Sequence, residues 1–241
     1  LSPKSYRPVA ILPVVSKVLE RVVFLQIVEY MDTNALFHPN HHGFRSLHST
    51  STAMLQMYDS WVEALDKGEM AGVAMIDQSA AFDCVDHGIL MSKLKLYGFD
   101  KEALAWMEGY LSGRVQSCHV ESFTSPALAV TVQGSILGPL IYCIFTNDFP
   151  ETVHGTECPL LPHEGDVMPK YRCQCDDCGG IVVYADDSTY SISHKDQNEL
   201  SDKLSENFSI MANYLTANRL KVNSDKTHLI VMTTEQKRRH H

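Results

Sequence analysis

Three aspartates stand where a chain can gather negative charge. Asp77 closes the apolar run Gly72-Val73-Ala74-Met75-Ile76, which reads as a short buried strand. Asp186 and Asp187 lie between two further strand-like runs, Ile181 to Ala185 and Ser188 to Ser193, and so at the tip of a hairpin. A lone strand-end aspartate is ordinarily a cap or a surface residue, and a lone Asp-Asp at a hairpin is ordinarily a turn. Carboxylates at strand ends and turn tips can converge, and a cluster of them repels unless a cation joins it. Magnesium suits such a place, because it takes hard oxygen ligands and is typically held by one or two carboxylates plus substrate phosphates. Two such ions roughly 3.5–4 Å apart can activate an attacking hydroxyl and steady a leaving pyrophosphate.

A second, softer cluster falls in a Pro/Gly/Cys-rich stretch at about 150–180 with no sustained period. Cys175-x-x-Cys178 can chelate zinc, with Cys173, Cys158 or His163 completing four ligands. One C-x-x-C with irregular partner spacing is thin evidence, so an unliganded insertion is the preferred reading and zinc the alternative. The cysteines number seven and are mostly scattered, which favours a reducing, intracellular setting in nucleus or cytoplasm.

The elements that must carry these residues follow from composition and period. The chain has 241 residues, 44% hydrophobic and 20% charged, as in ordinary globular proteins. No run of 18 apolar residues suggests a membrane span. Helices are expected over Ser16 to Asp32, with Val18, Val22, Leu25 and Ile27 on an apolar face, and over Thr52 to Lys67, with Met54, Tyr58, Trp61 and Leu65. Two more fit Gly88 to Tyr97 and Lys101 to Leu111, and a fifth runs through Pro139 to about Asp148. Val115 to Glu121 and Leu128 to Val132 are strand candidates. Asp196 with Glu199 resembles a capping box before a helix carrying Leu200, Leu204, Phe208, Met211 and Leu215. Leu220 to Asn223 and Thr227 to Met232 are expected to form a last hairpin. The tail Lys237 to His241 reads as solvated.

Set in that order, the motifs resemble those of reverse transcriptases, in the non-LTR, LINE-type retrotransposon branch. Tyr184-Ala185-Asp186-Asp187 looks like the family's signature tetrapeptide. Asp77-Gln78-Ser79-Ala80-Ala81-Phe82-Asp83 with Val85-Asp86-His87 looks like its first catalytic motif. Gln133-Gly134-Ser135-Ile136-Leu137-Gly138-Pro139-Leu140, leading to Asn147-Asp148, is similar to a second palm motif. Tyr6-Arg7-Pro8, Leu12-Pro13, Ser16-Lys17 and Glu20, then His42-Gly43-Phe44-Arg45 with Ser49-Thr50, resemble its fingers motifs. Leu220-Lys221-Val222-Asn223 with Lys226-Thr227 resembles the last palm motif.

The resemblance implies an α+β fold of right-hand polymerase architecture. Helical fingers would occupy 1–70, and 71–241 would form a palm with a small antiparallel sheet flanked by helices, interrupted by the insertion. It implies Asp77, Asp186 and Asp187 as catalytic residues holding two Mg2+ ions, with Mn2+ a possible substitute. The Gln78 carbonyl would also face a metal. Phe82 would exclude a ribose 2′-hydroxyl by bulk. Gln133, Gly134 and Tyr184 would line the nucleotide site, Arg7 would grip the triphosphate with its forked guanidinium, and Lys226 would neutralise or protonate the departing pyrophosphate. Implied partners are an RNA template with a DNA primer, a deoxynucleoside triphosphate, and the rest of a retroelement polyprotein, including thumb and endonuclease.

Two residues depart from the family pattern beside the site. Gln78 stands where an aliphatic residue is usual, and Thr131-Val132 where a proline usually precedes Gln-Gly. The chain begins at Leu1 and ends soon after the last palm motif, so it reads as a fingers–palm piece with the thumb absent. Its net charge of −9 leaves it dependent on basic surface from elsewhere to hold a phosphate backbone. Weak polymerisation, or none, is therefore expected of this piece alone. The alternatives are a catalytically inactive relic acting as a binding module and, less fitting, another palm enzyme such as a nucleotide cyclase.

Overall fold

The computed structural model describes residues 12–78, 84–129, 135–153 and 179–234. Two helices come first, α1 (Val14–Thr33) and α2 (Thr50–Asp66), followed by strand β1 (Met70–Asp77) and helices α3 (His87–Leu96) and α4 (Lys101–Leu111). Four two-residue strands follow: β2 (Val115–Gln116), β3 (His119–Val120), β4 (Phe123–Thr124) and β5 (Leu128–Ala129). Helix α5 (Leu137–Phe145), a 3-10 turn (Phe149–Val153), the hairpin strands β6 (Gly180–Tyr184) and β7 (Asp187–His194), helix α6 (Gln197–Ala217) and strand β8 (His228–Met232) complete it.

The main sheet has the order β6-β7-β1-β8, and every pairing is antiparallel. β1 is central and nearly all buried, as its unbroken apolar run requires. Alternate residues then divide the sheet into two faces. Ile181, Val183, Tyr190 and Ile192 join the main core with Leu200 and Leu204 of α6. Gly72 allows this: a Cβ there would stand 2.5 Å from the Leu204 Cδ1. On the other face Val182 and Tyr184 pack against Ala53, Met57 and Trp61 of α2. Every residue of helix α5 except Pro139 is buried, consistent with a sequence apolar all round. The core therefore includes residues on both sides of position 70, with Ile27 and Met31 of α1 in the same cluster as Leu137 to Phe145.

One connection braces the sheet from outside its strands. The segment Asn40 to Gly43 runs along β6: the His42 N–H donates to the Val183 carbonyl at 2.8 Å and the Val183 N–H to the Asn40 carbonyl at 2.9 Å. Arg45 ties the segment down by donating to the His38 and His41 carbonyls, and lies over the Phe37 ring. His42 reaches Thr52 and Gln56 of α2.

Several expectations need correction. Val18, Val22 and Leu25 do not face the core; they are 61%, 51% and 52% exposed, and α1 buries Glu20, Ile27 and Met31 instead. Met54 and Tyr58 of α2 are likewise outside, with Ala53, Met57 and Ala64 inside. Periodicity located both helices but not their buried faces; in α2 that face is the one where small Ala53 and Ala64 let the helix approach the sheet. The expected strand 115–121 is split by a step at Ser117-Cys118, and β2 pairs with β5 while β3 pairs with β4. Helix α5 stops at Phe145, and the start of the supposed insertion is the 3-10 turn, with Phe149 and Val153 in the core. The Asp196 cap is one-sided: its carboxylate accepts from Asn198 and Glu199, while its own N–H goes to His194. Leu220 to Asn223 forms no hairpin with β8. It lies over the end of β1, where Val222 bridges Gln78, and β8 pairs with β1 directly.

His41 gives the fold a pH dependence. Its ring is fully buried, and burial, then the charge of Arg45, lower its pKa from 6.5 to about 3. The unfolded chain binds a proton near pH 6.5 that the folded chain refuses. Stability supplied by neutral His41 is complete above that pH and is lost as pH falls toward 3, at up to about 1.4 kcal/mol per unit. Urea unfolding across this range should show the slope, and His41→Asn should flatten it.

Candidate active site

The antiparallel register of β1 and β7 sets Asp77 directly opposite Asp187, and that of β6 and β7 sets Tyr184 opposite Asp187. Two residues, Ala185 and Asp186, make the turn between β6 and β7. Ala185 takes a φ of 58°, in the left-handed region that costs a residue with a Cβ. The turn is held from outside by Gly43, where an added Cβ would sit 2.4 Å from the Ala185 nitrogen. Gly43 is thus required for close approach. Its carbonyl accepts from the buried Cys143 thiol of α5 at 3.1 Å.

Charge at this sheet end is unbalanced. Asp187 stands mostly in solvent, yet partial burial, then Asp186 and Asp77, raise its pKa above the ordinary carboxylate value, with Lys226 pulling it back. Asp77 is better supplied. Its Oδ2 accepts from the Asn223 Nδ2 at 2.8 Å and lies 3.7 Å from the Lys226 ammonium. Its backbone carbonyl accepts from the Asn223 N–H at 2.9 Å. Arg219 on Asp86 anchors the front of this loop.

Beneath the carboxylates lies a buried polar pair. The Tyr142 hydroxyl of α5 donates to the Gln78 Oε1 at 2.6 Å, and the Gln78 Nε2 has no partner among the described residues. Burial, then the charge of Asp186, push the Tyr142 pKa upward, so the phenol keeps its proton and remains a donor. Nearby, buried Glu20 fixes the start of α5. One carboxylate oxygen accepts from Ile136 N–H at 2.7 Å and the other from the Tyr110 hydroxyl at 2.9 Å.

Of the residues expected from sequence, Asp77, Gln78, Tyr184, Asp186, Asp187 and Lys226 gather at this end of the sheet. Tyr184 leans on the α2 side with Ala53 and Met57. Arg7, Phe82, Gln133 and Gly134 lie outside the described residues, as do Cys158, His163, Cys173, Cys175 and Cys178. Sequence alone assigns no site role to Asn223, Tyr142, Glu20 or Gly43, although Asn223, Glu20 and Gly43 stand inside the family-like motifs. Their spacing carried the signal; their partners are tertiary.

Among the described residues no three His, Cys, Asp or Glu side chains form a ready-made metal cage. The donor chemistry still fits magnesium. Hard carboxylate oxygens come together at one strand end, their mutual repulsion is only partly offset by Lys226 at Asp187, and such an ion takes its remaining ligands from water and phosphate.

The chain matches the family model described as reverse transcriptase (RNA-dependent DNA polymerase) over residues 2–239, and it belongs to that family. Its relatives place it with the LINE-type, non-LTR branch. It is 32% identical over 191 residues to a protein of Drosophila melanogaster described as a probable RNA-directed DNA polymerase from transposon X-element, covering 76% of this chain and 21% of that one. To the corresponding protein of transposon BS from the same species it is 32% identical over 229 residues, covering 94% of this chain and 23% of the relative. The chain thus spans between a fifth and a quarter of the length of these relatives. Telomerase of Candida tropicalis, solved with a fragment of telomeric RNA, shares the fold with a TM-score of 0.58 at 12% identity, over 90% of this chain and 34% of that one. Telomerase of Candida albicans does so with a TM-score of 0.51 at 16% identity, over 90% and 34%.

The Tyr142–Gln78 pair makes a double-mutant prediction. Tyr142→Phe leaves both polar ends of the Gln78 amide unpaired and should cost about 1–3 kcal/mol in urea unfolding. Adding Gln78→Leu should recover most of that loss, because the buried amide left without its phenol partner is then gone. Additive losses would show that the two side chains are not coupled.

Proposed function

We propose that this chain is the polymerising core of an RNA-directed DNA polymerase, with fingers in 1–70 and palm in 71–241. The observation that carries the reading is Asp77 facing Asp187 across the β1–β7 pair, beside Asp186 in the turn. On this reading Asp77 and Asp186 hold two magnesium ions, with Asp187 alongside, and manganese can stand in. Bound magnesium would supply Lewis-acid activation of a primer 3′-hydroxyl and neutralise the triphosphate. The protein's own work is positioning and charge balance. Arg7 grips the triphosphate, Gln133 and Gly134 shape the nucleotide pocket with Tyr184, Phe82 rejects the ribose 2′-hydroxyl, and Lys226 meets the departing pyrophosphate. The product is a DNA strand one nucleotide longer, copied from RNA by base pairing. Primer, template and nucleoside triphosphate are the partners, along with other segments of a retroelement polyprotein. Intracellular synthesis, in nucleus or cytoplasm, belongs to the same reading. Zinc at Cys158, Cys173, Cys175 and Cys178 forms no part of it. No helix among the described residues is long and apolar enough to cross a membrane.

A second reading, a folded copy without activity, draws on Gln78. Its buried Nε2, without a partner among the described residues, is a cost that an aliphatic residue would avoid.

Primer extension on an RNA template with magnesium distinguishes the two. The chain should extend a DNA primer weakly, extension should stop with a chelator, and Asp186→Asn should lower it by about a hundredfold or more, as loss of a group that stabilises the reacting charge does. No extension, even with flanking sequence patterned on the Drosophila relatives, would favour the inactive copy. Extension unchanged by Asp186→Asn would remove the aspartates from the site.

A further inference from the structure

Asp77 meets one residue twice. The Asn223 main-chain N–H donates to the Asp77 carbonyl at 2.9 Å, and its Nδ2 donates to the Asp77 Oδ2 at 2.8 Å. A two-point grip of this kind fixes the carboxylate's rotation as well as its position. The grip is itself braced. The Asn223 carbonyl accepts from the Lys226 N–H at 3.1 Å and from the Thr227 hydroxyl at 2.9 Å, closing the turn behind it. Val222, one residue earlier, bridges Gln78, one residue after Asp77. The two chain segments therefore run together past the carboxylate, and Asn223 cannot drift without breaking that bridge.

We propose that Asn223 is the positioning residue for Asp77: it occupies Oδ2 and leaves Oδ1 as the oxygen offered to a divalent cation. The inference rests on the metal-site reading given above. An amide is apt for the task. It donates without adding charge, so it orients the anion without neutralising it, whereas Lys226 at 3.7 Å supplies charge without fixed direction. Groups that orient a metal-binding carboxylate typically matter by roughly ten- to a hundredfold in metal affinity.

The test uses Mn2+ binding to the full chain, followed by electron paramagnetic resonance of the free ion, with thermal unfolding measured alongside. Wild type should bind Mn2+, and Asp186→Asn should weaken it; failure of either overturns the metal-site reading itself, and this inference with it. Given that binding, Asn223→Ala should weaken Mn2+ affinity by about ten- to a hundredfold while keeping a cooperative unfolding transition. Thr227→Val loosens the same turn without touching Asp77, and should leave affinity within about twofold of wild type if the effect belongs to the Asn223 amide. Equal losses in the two variants, or no loss in Asn223→Ala, would overturn the inference while leaving the metal-site reading intact. If Asn223→Ala fails to fold, Asn223→Ser, which keeps the turn but cannot reach Oδ2, must show the same loss.

Discussion

Two like charges held directly opposite each other across paired strands are an unfavourable arrangement, and the rest of this molecule is arranged so that it persists. Asp77 and Asp187 face each other because the register of β1 and β7 leaves them no other place. That register is fixed by what lies farther along the same strands. Tyr190 and Ile192 must point to the α6 side, where Leu200 and Leu204 meet them. A slip of one residue would turn those apolar groups outward and reverse every side chain on the strand. Hydrophobic burial along the strands thus imposes the carboxylate cluster at their ends. Part of the cost appears at Asp187, whose pKa is raised by partial burial first and then by Asp186 and Asp77.

Around that constraint the supports come from four separated parts of the sequence. Gly43 presses on the turn from one side, Tyr142 reaches Gln78 from below, Asn223 holds Asp77 from the loop before β8, and Glu20 fixes the start of α5. Arg45 serves the first of these, using its guanidinium on backbone carbonyls of the 38–41 turn. None of these residues reacts in the proposed chemistry. They set where the reacting groups stand, which is how an enzyme of this class would contribute to phosphoryl transfer.

Much of this was legible in the sequence, and the reason is physical. Strand β1 is announced by its apolar run, the β6–β7 hairpin by two short runs about an aspartate pair, and α3, α4 and α6 by period and caps. The aspartates were legible because motif order singles them out. What failed to read was facing. Valine and leucine in α1 suggested a core stripe, but Glu20 is the residue that goes in, since its carboxylate finds three partners there. Ala53 and Ala64 outrank Met54 and Tyr58 in α2 because small side chains let the helix lie close to the sheet. The segment 220–223 looked like a hairpin arm because its pattern alternates; its partner is the end of β1, far earlier in the chain, and no local signal encodes that. Arg7, Phe82, Gln133 and Gly134 rest on motif likeness alone.

The two borders of the main sheet differ. The border at β6 is covered by the Asn40–Gly43 segment, whose amides and carbonyls engage Val183. The border at β8 meets no further strand among the described residues, and Leu229, Ile230 and Val231 stand exposed along it. A strip of unpaired backbone flanked by apolar side chains is a template for strand addition. Among the described residues the sheet is therefore asymmetric: a main-chain segment braces one margin, while the other presents apolar side chains beside free strand backbone.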